Sequence, residues 1–63
     1  MTLEQQERVG SAIRIMLAFG RDRSDQGILA AVDDLVAEDG GAPVDHTEVL
    51  RMIATARANR GEG

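Results

Sequence analysis

The sequence predicts an all-α fold, a small three-helix domain, on three observations. Apolar residues recur at helical spacing in three stretches, each stretch begins after a good helix cap, and short polar links separate them. No stretch shows the period of two that is typical of an exposed strand. With 63 residues in all, we expect one domain with a small core over residues 1–60, followed by a disordered tail at 61–63.

The first predicted helix begins after Thr2, a favourable N-cap, and Gln5 completes a capping-box pattern. It continues to Phe19. Gly20 then suits the position after the helix, where the backbone commonly has a left-handed conformation that glycine adopts easily. Gly10 lies in the middle of this helix, where glycine costs stability relative to alanine. We interpret Gly10 as a point of close approach by a second backbone.

This first helix is apolar on two sides. At about 100° per residue, one face is formed by Val9, Ile13, Met16 and Leu17. A second face, on nearly the opposite side, is formed by Ala12, Ile15 and Phe19. A helix of this kind requires cover on both sides, so its second face needs a partner of some kind.

The second predicted helix begins after the N-cap Ser24 and ends near Ala37 or Glu38. It has one apolar face, made of Ile28, Leu29, Val32, Leu35 and Val36. This is the pattern of an amphipathic helix with one buried side. We expect that side to pack against the first face of the first helix.

The third predicted helix has the clearest start signal in the chain. Asp45 and Glu48 have the spacing of a capping box, and Val44 and Val49 have that of a hydrophobic staple. The helix continues through an apolar face made of Val49, Met52, Ile53 and Ala56. It ends around Asn59, after which the chain is expected to fray.

The second face of the first helix predicts self-association. The chain has no Cys and one His, so disulfides, thiolate sites and His-rich metal sites are excluded. Oligomerisation is then the remaining common way to stabilise a domain of this size. We expect a homodimer in which a two-fold axis lets this face cover its own copy, with an interface made of Ala12, Ile15 and Phe19 and an edge at Leu3. Alternatives are a different protein partner, a larger complex, or a first helix sandwiched between the other two.

The charge balance favours a protein that binds protein. Eleven acidic and seven basic residues give a net charge of −4, which disfavours nucleic acid and anionic membranes as partners. No apolar run approaches the roughly 20 residues of a membrane span, and the N-terminus lacks the order of a secretory signal. We therefore expect a cytoplasmic protein, and the use of arginine without lysine is typical of a GC-rich bacterial genome.

No motif in the sequence indicates an enzyme or a cofactor. Ser24 is explained as a helix cap, and no nucleophile elbow surrounds it. The glycines at 40 and 41 do not precede the Lys-Ser/Thr pair of a phosphate-binding loop. His46 is interpreted as a surface residue, because its spacing provides no partner for general-base chemistry or metal binding. The leading hypothesis is therefore a small acidic interaction or accessory protein.

A helix-turn-helix regulator is the second hypothesis. The predicted second and third helices are consecutive, but about seven residues separate them, which is longer than the tight turn of that motif. The third helix would be the recognition helix, and Asp45 and Glu48 at its start would face phosphates. Only the arginines near the C-terminus favour DNA binding, so nucleic acid is not the expected partner.

A third hypothesis comes from a resemblance. Residues 37–53 resemble the loop and exiting helix of an EF-hand, with matches at the third, eighth, ninth and twelfth loop positions: Asp39, Val44, Asp45 and Glu48. The loop departs from the family at the first, fifth and sixth positions, which are Ala37, Gly41 and Ala42. The resemblance implies a degenerate cation site with few of the six to eight oxygens that calcium requires. The wider acidic segment, from Asp33 to Glu48, is interpreted as a solvated face with helix caps.

Overall fold

A computed structural model describes residues 1–61 and contains three α-helices: α1 (Leu3–Phe19), α2 (Asp25–Glu38) and α3 (His46–Asn59). No strand occurs within these residues. The predicted fold class is confirmed, and the helices begin and end where their caps and apolar faces predict. Of the expected tail at 61–63, only Gly61 lies within the described residues.

The three helices enclose one small core. It consists of eight buried residues: Val9, Ile13, Leu17, Ile28, Val32, Val36, Val49 and Ile53. Five partly buried residues pack against them: Met16, Leu29, Val44, Met52 and Ala56. All thirteen belong to the apolar faces and the staple position predicted above, because helical periodicity places apolar residues together on a side that can be buried.

Each helix packs against both of the others, so α1 is not sandwiched between α2 and α3. Ion pairs join the early part of α1 to the end of α2, through Arg8 and Asp39, and the start of α2 to the end of α3, through Asp25 and Arg57. Consecutive helices therefore run antiparallel. Because α2 and α3 close on each other, they cover only one side of α1.

The helix N-termini agree with the predicted caps, with one difference. At α1, Gln5 N donates to Thr2 Oγ1 over 3.1 Å and Thr2 N donates to Gln5 Oε1 over 3.2 Å, which is the predicted capping box. At α3, Asp45 Oδ1 accepts from Thr47 N at 3.0 Å, one residue earlier than a capping box requires. Glu48 does not return a bond to Asp45, so the reciprocal half of the predicted capping box is not formed.

The left-handed residue predicted at Gly20 is found elsewhere. Gly20 has φ −67° and ψ 149°, so the chain leaves α1 in an extended conformation. A Cβ at this position would lie 2.5 Å from the Met16 carbonyl oxygen. Gly40, with φ 73°, has the left-handed conformation instead. Gly40 N bonds to Ala37 O and Gly41 N bonds to Val36 O, the pair of bonds that defines a Schellman motif.

The close approach expected at Gly10 is also absent. A Cβ added at Gly10 would meet only the terminal methyl carbon of Met52, at 3.8 Å, which is an ordinary van der Waals contact. No second backbone lies against this residue. Gly10 therefore has room for a side chain. Packing does not require glycine at this position, although glycine lowers the stability of the helix there.

Candidate interaction surface

The second face of α1 is exposed. Phe19 is 84% exposed and Ile15 is 59% exposed, whereas Leu17 between them is fully buried in the core. Large apolar side chains that lie next to each other at a surface often mark a binding site. We refer to Ala12, Ile15 and Phe19, together with the neighbouring Leu35 of α2, as the α1 patch.

A shallow depression between α1 and α2 overlaps the α1 patch at its end nearest the N-terminus, and Phe19 lies outside it. Ala12, Ile15 and Leu35 line it, and Ala12 and Leu35 are half-buried. The small side chain of Ala12 leaves room at this point beside Ile15. Leu35 was predicted only as part of the apolar face of α2. Leu35 lies at the edge of that face, and this position already indicated that the core would not bury its side chain completely.

Leu3 does not belong to the same patch as Phe19. It is 73% exposed, but at about 100° per residue it points about 120° away from Ile15 and about 160° away from Phe19. The four residues of the expected interface therefore lie on two different sides of α1. The same helical periodicity that groups Ala12, Ile15 and Phe19 also places Leu3 on a different side, so this separation could have been predicted from the sequence.

The rim of the α1 patch is charged. Arg8 forms an ion pair with Asp39 at 2.6 Å and a longer one with Glu4 at 3.7 Å. The hydrogen bond to Asp39, followed by the charges of Asp39 and Glu4, raises the pKa of Arg8 above its usual range. Glu7 also borders the depression and has no ion pair among the described residues. The rim is therefore polar, as at the edge of many protein interfaces.

Three of the six acids in the acidic segment make contacts within the fold. Asp33 lies 3.0 Å from His46 Nε2, Asp39 pairs with Arg8, and Asp45 caps α3. Within residues 1–61, no three His, Cys, Asp or Glu side chains are grouped so that they could hold a metal ion. The carboxylates that the EF-hand resemblance would use do not converge, so the geometry gives that hypothesis no support.

The arrangement of α2 and α3 does not favour a recognition helix. The start of α3 carries the acidic side chains of Asp45 and Glu48, as the sequence predicts. At its other end, Arg57 donates to the Arg23 carbonyl oxygen and pairs with Asp25 at 3.0 Å. One of the arginines that kept the nucleic-acid hypothesis open is therefore engaged within the fold.

Fold and surface together define a small three-helix, all-helical domain with an exposed apolar patch on its first helix. No family model matches the sequence, and comparisons with curated proteins and with solved structures find no significant similarity. Within the described residues, no helix has the length and apolarity needed to cross a membrane.

Proposed function

We propose that this protein acts by binding protein through the α1 patch, and that its first partner is a second copy of itself. The observation that carries the proposal is the exposure of Phe19 and Ile15 on a helix whose opposite side already forms the core. Covering these side chains would remove apolar surface from water, which is the main driving force for protein association. A larger complex that contains this chain is the alternative, and it too could cover the α1 patch.

The α1 patch combines a projecting side chain with a recessed surface, the two features that a self-complementary contact needs. Phe19 projects from it, and the depression beside Ala12 and Leu35 is recessed. In a two-fold dimer, the aromatic ring of each copy can enter the depression of the other, since both copies present the same surface. Aromatic residues seated in such pockets commonly dominate the energy of an interface.

Light scattering on a sizing column, over a series of protein concentrations, tests the proposal. The wild-type protein should show a mass that rises toward twice 6.8 kDa with concentration. Phe19→Asp should remain monomeric, with association weakened by about a hundredfold or more, because a charge replaces the central apolar anchor. Circular dichroism of the same variant should retain the helical signal, since Phe19 lies outside the core.

Leu3→Asp is the matched control, because it places the same charge at a similarly exposed leucine on a different side of α1. This variant should associate like the wild type. A wild-type protein that is monomeric at every concentration would contradict self-association. A Phe19→Asp variant that assembles normally would exclude the α1 patch as the interface.

A further inference from the structure

A second concavity lies between α1 and α3, on the other flank of α1 from the α1 patch. Its volume is about 620 Å³, and its floor is apolar, formed by Gly10, Ile13, Met52 and Ala56. We call it the α1–α3 groove. Along α3 it extends from Glu48 to Arg60, so it follows that helix for about three turns, or roughly 18 Å.

The rim of the α1–α3 groove has the opposite charge to the protein as a whole. Three arginines border it, Arg14, Arg51 and Arg60, against one acid, Glu48, whereas the chain carries a net charge of −4. A positive rim around an apolar floor is complementary to a ligand that is both apolar and acidic.

Two of these rim arginines have no carboxylate partner within residues 1–61. The hydrogen bond of Arg14 is to the Ser11 hydroxyl, at 3.3 Å, and the side chain of Arg51 forms no hydrogen bond or ion pair. Arg14 and Arg51 thus keep their guanidinium groups available for an external carboxylate, which arginine binds with favourable fork geometry.

The missing side chain of Gly10 shapes the α1 wall of the groove. Its position faces the terminal methyl of Met52, 3.8 Å from where a Cβ would lie, so a larger residue would narrow the space. The α1–α3 groove therefore lies open on the surface, beside the contact between these two helices.

We propose that the α1–α3 groove binds an acidic amphipathic helix of a partner protein. The apolar stripe of that helix lies over Met52 and Ala56, and its carboxylates face Arg14 and Arg51. Amphipathic helices commonly bind to grooves in this way, through apolar anchors at successive turns. A nucleic-acid backbone matches the charge of the rim but not the apolar floor. The proposal uses residues outside the α1 patch and does not depend on self-association.

A titration with two synthetic helical peptides tests the proposal. Both are capped peptides of about 15 residues with leucine at every third or fourth position; one carries glutamate at its polar positions and the other carries lysine. Each is added to the full ¹⁵N-labelled chain, in the wild type and in Phe19→Asp, and amide shifts are followed. The Phe19→Asp variant is included because it should not self-associate through the α1 patch, so any peptide binding it shows is independent of self-association.

The glutamate peptide should shift the amides of Gly10 and Thr55 in both proteins, and its affinity should fall as salt is added. The lysine peptide should bind at least about tenfold more weakly, because its charges oppose those of the rim. Arg51→Glu should weaken binding of the glutamate peptide by about tenfold or more. Arg21→Glu, which changes an exposed arginine outside the groove, should leave it unchanged.

Three results would overturn this proposal. One is the absence of any shift with the glutamate peptide, and another is equal binding of the two peptides. The third is a set of shifts confined to the α1 patch, which would place the peptide on the other flank of α1. None of these results decides whether the protein self-associates, which the light-scattering experiment measures by itself.

Discussion

At the scale of single residues, the glycines of this chain have different structural roles. Gly10 lies inside α1 with only the Met52 methyl near its missing Cβ. Gly40 follows α2 with φ 73°, a conformation that residues with a side chain adopt at a cost. The first glycine is therefore replaceable, and the second is required by the turn.

Gly10→Ala should raise the free energy of unfolding by about 0.5–1 kcal/mol, because alanine favours a helix interior and the added methyl has room. Gly40→Ala should lower it by roughly 1 kcal/mol or more, because the residue would be held in the left-handed region. Urea unfolding followed by circular dichroism measures both changes. Destabilisation by Gly10→Ala would indicate a close contact at that position that the fold does not show.

At the scale of elements, the start of α2 is held by a small hydrogen-bond network. The Ser24 hydroxyl accepts from Gly27 N at 3.1 Å and donates to Asp22 Oδ1 at 2.6 Å, and Ser24 N donates to the same oxygen. The bond from the Ser24 hydroxyl, followed by the bond from its backbone N–H, lowers the pKa of Asp22 below the ordinary value of 3.8. The charged form of Asp22 thus supports the cap of α2.

Asp22 should therefore make the free energy of unfolding depend on pH in the acidic range. Because its pKa is lower in the folded than in the unfolded chain, its contribution is complete above about pH 3.8 and disappears as the pH falls through the folded value. NMR titration of the carboxyl carbon should give a pKa below 3.8, and Ser24→Ala should raise it. Asp22→Asn should remove this part of the pH dependence. An unchanged pKa in Ser24→Ala would show that Ser24 is not its cause.

At the scale of the whole molecule, α1 divides its apolar residues between a core and a surface. Leu17 is fully buried, and Phe19, two residues later, is 84% exposed. The eight-residue core is small, as a chain of this length allows, so each member contributes a large share of the stability. The exposed residues contribute little to the folded monomer and remain available for association.

Leu17→Ala should lower the free energy of unfolding by about 2–5 kcal/mol, enough to unfold much of the protein, because it leaves a cavity in the core. Phe19→Ala should change the stability of the monomer by less than about 0.5 kcal/mol. Both values are measured by urea unfolding at a concentration where the protein is monomeric. A large loss of monomer stability in Phe19→Ala would mean that its ring belongs to the core.

The sequence alone determined the three helices, two of their caps in detail and, apart from Leu35, which side chains of α2 and α3 pack in or against the core. These features depend on short-range chemistry, namely the spacing of apolar residues along one helix and hydrogen bonds between residues two or three positions apart. The same local rule also separates Leu3 from Phe19, although the predicted interface grouped them. Self-association and the identity of any partner remain predictions, because no local pattern identifies what covers an exposed face.

Only the tertiary structure decided which faces stay open. The packing of the three helices leaves the second side of α1 uncovered, brings Leu35 of α2 beside Ala12 of α1, and forms the α1–α3 groove. The pairing of Arg8 with Asp39 and of Arg57 with Asp25 also joins residues more than thirty positions apart. The physical reason is that these contacts depend on how three helices are placed against one another, and periodicity within one helix carries no information about that placement.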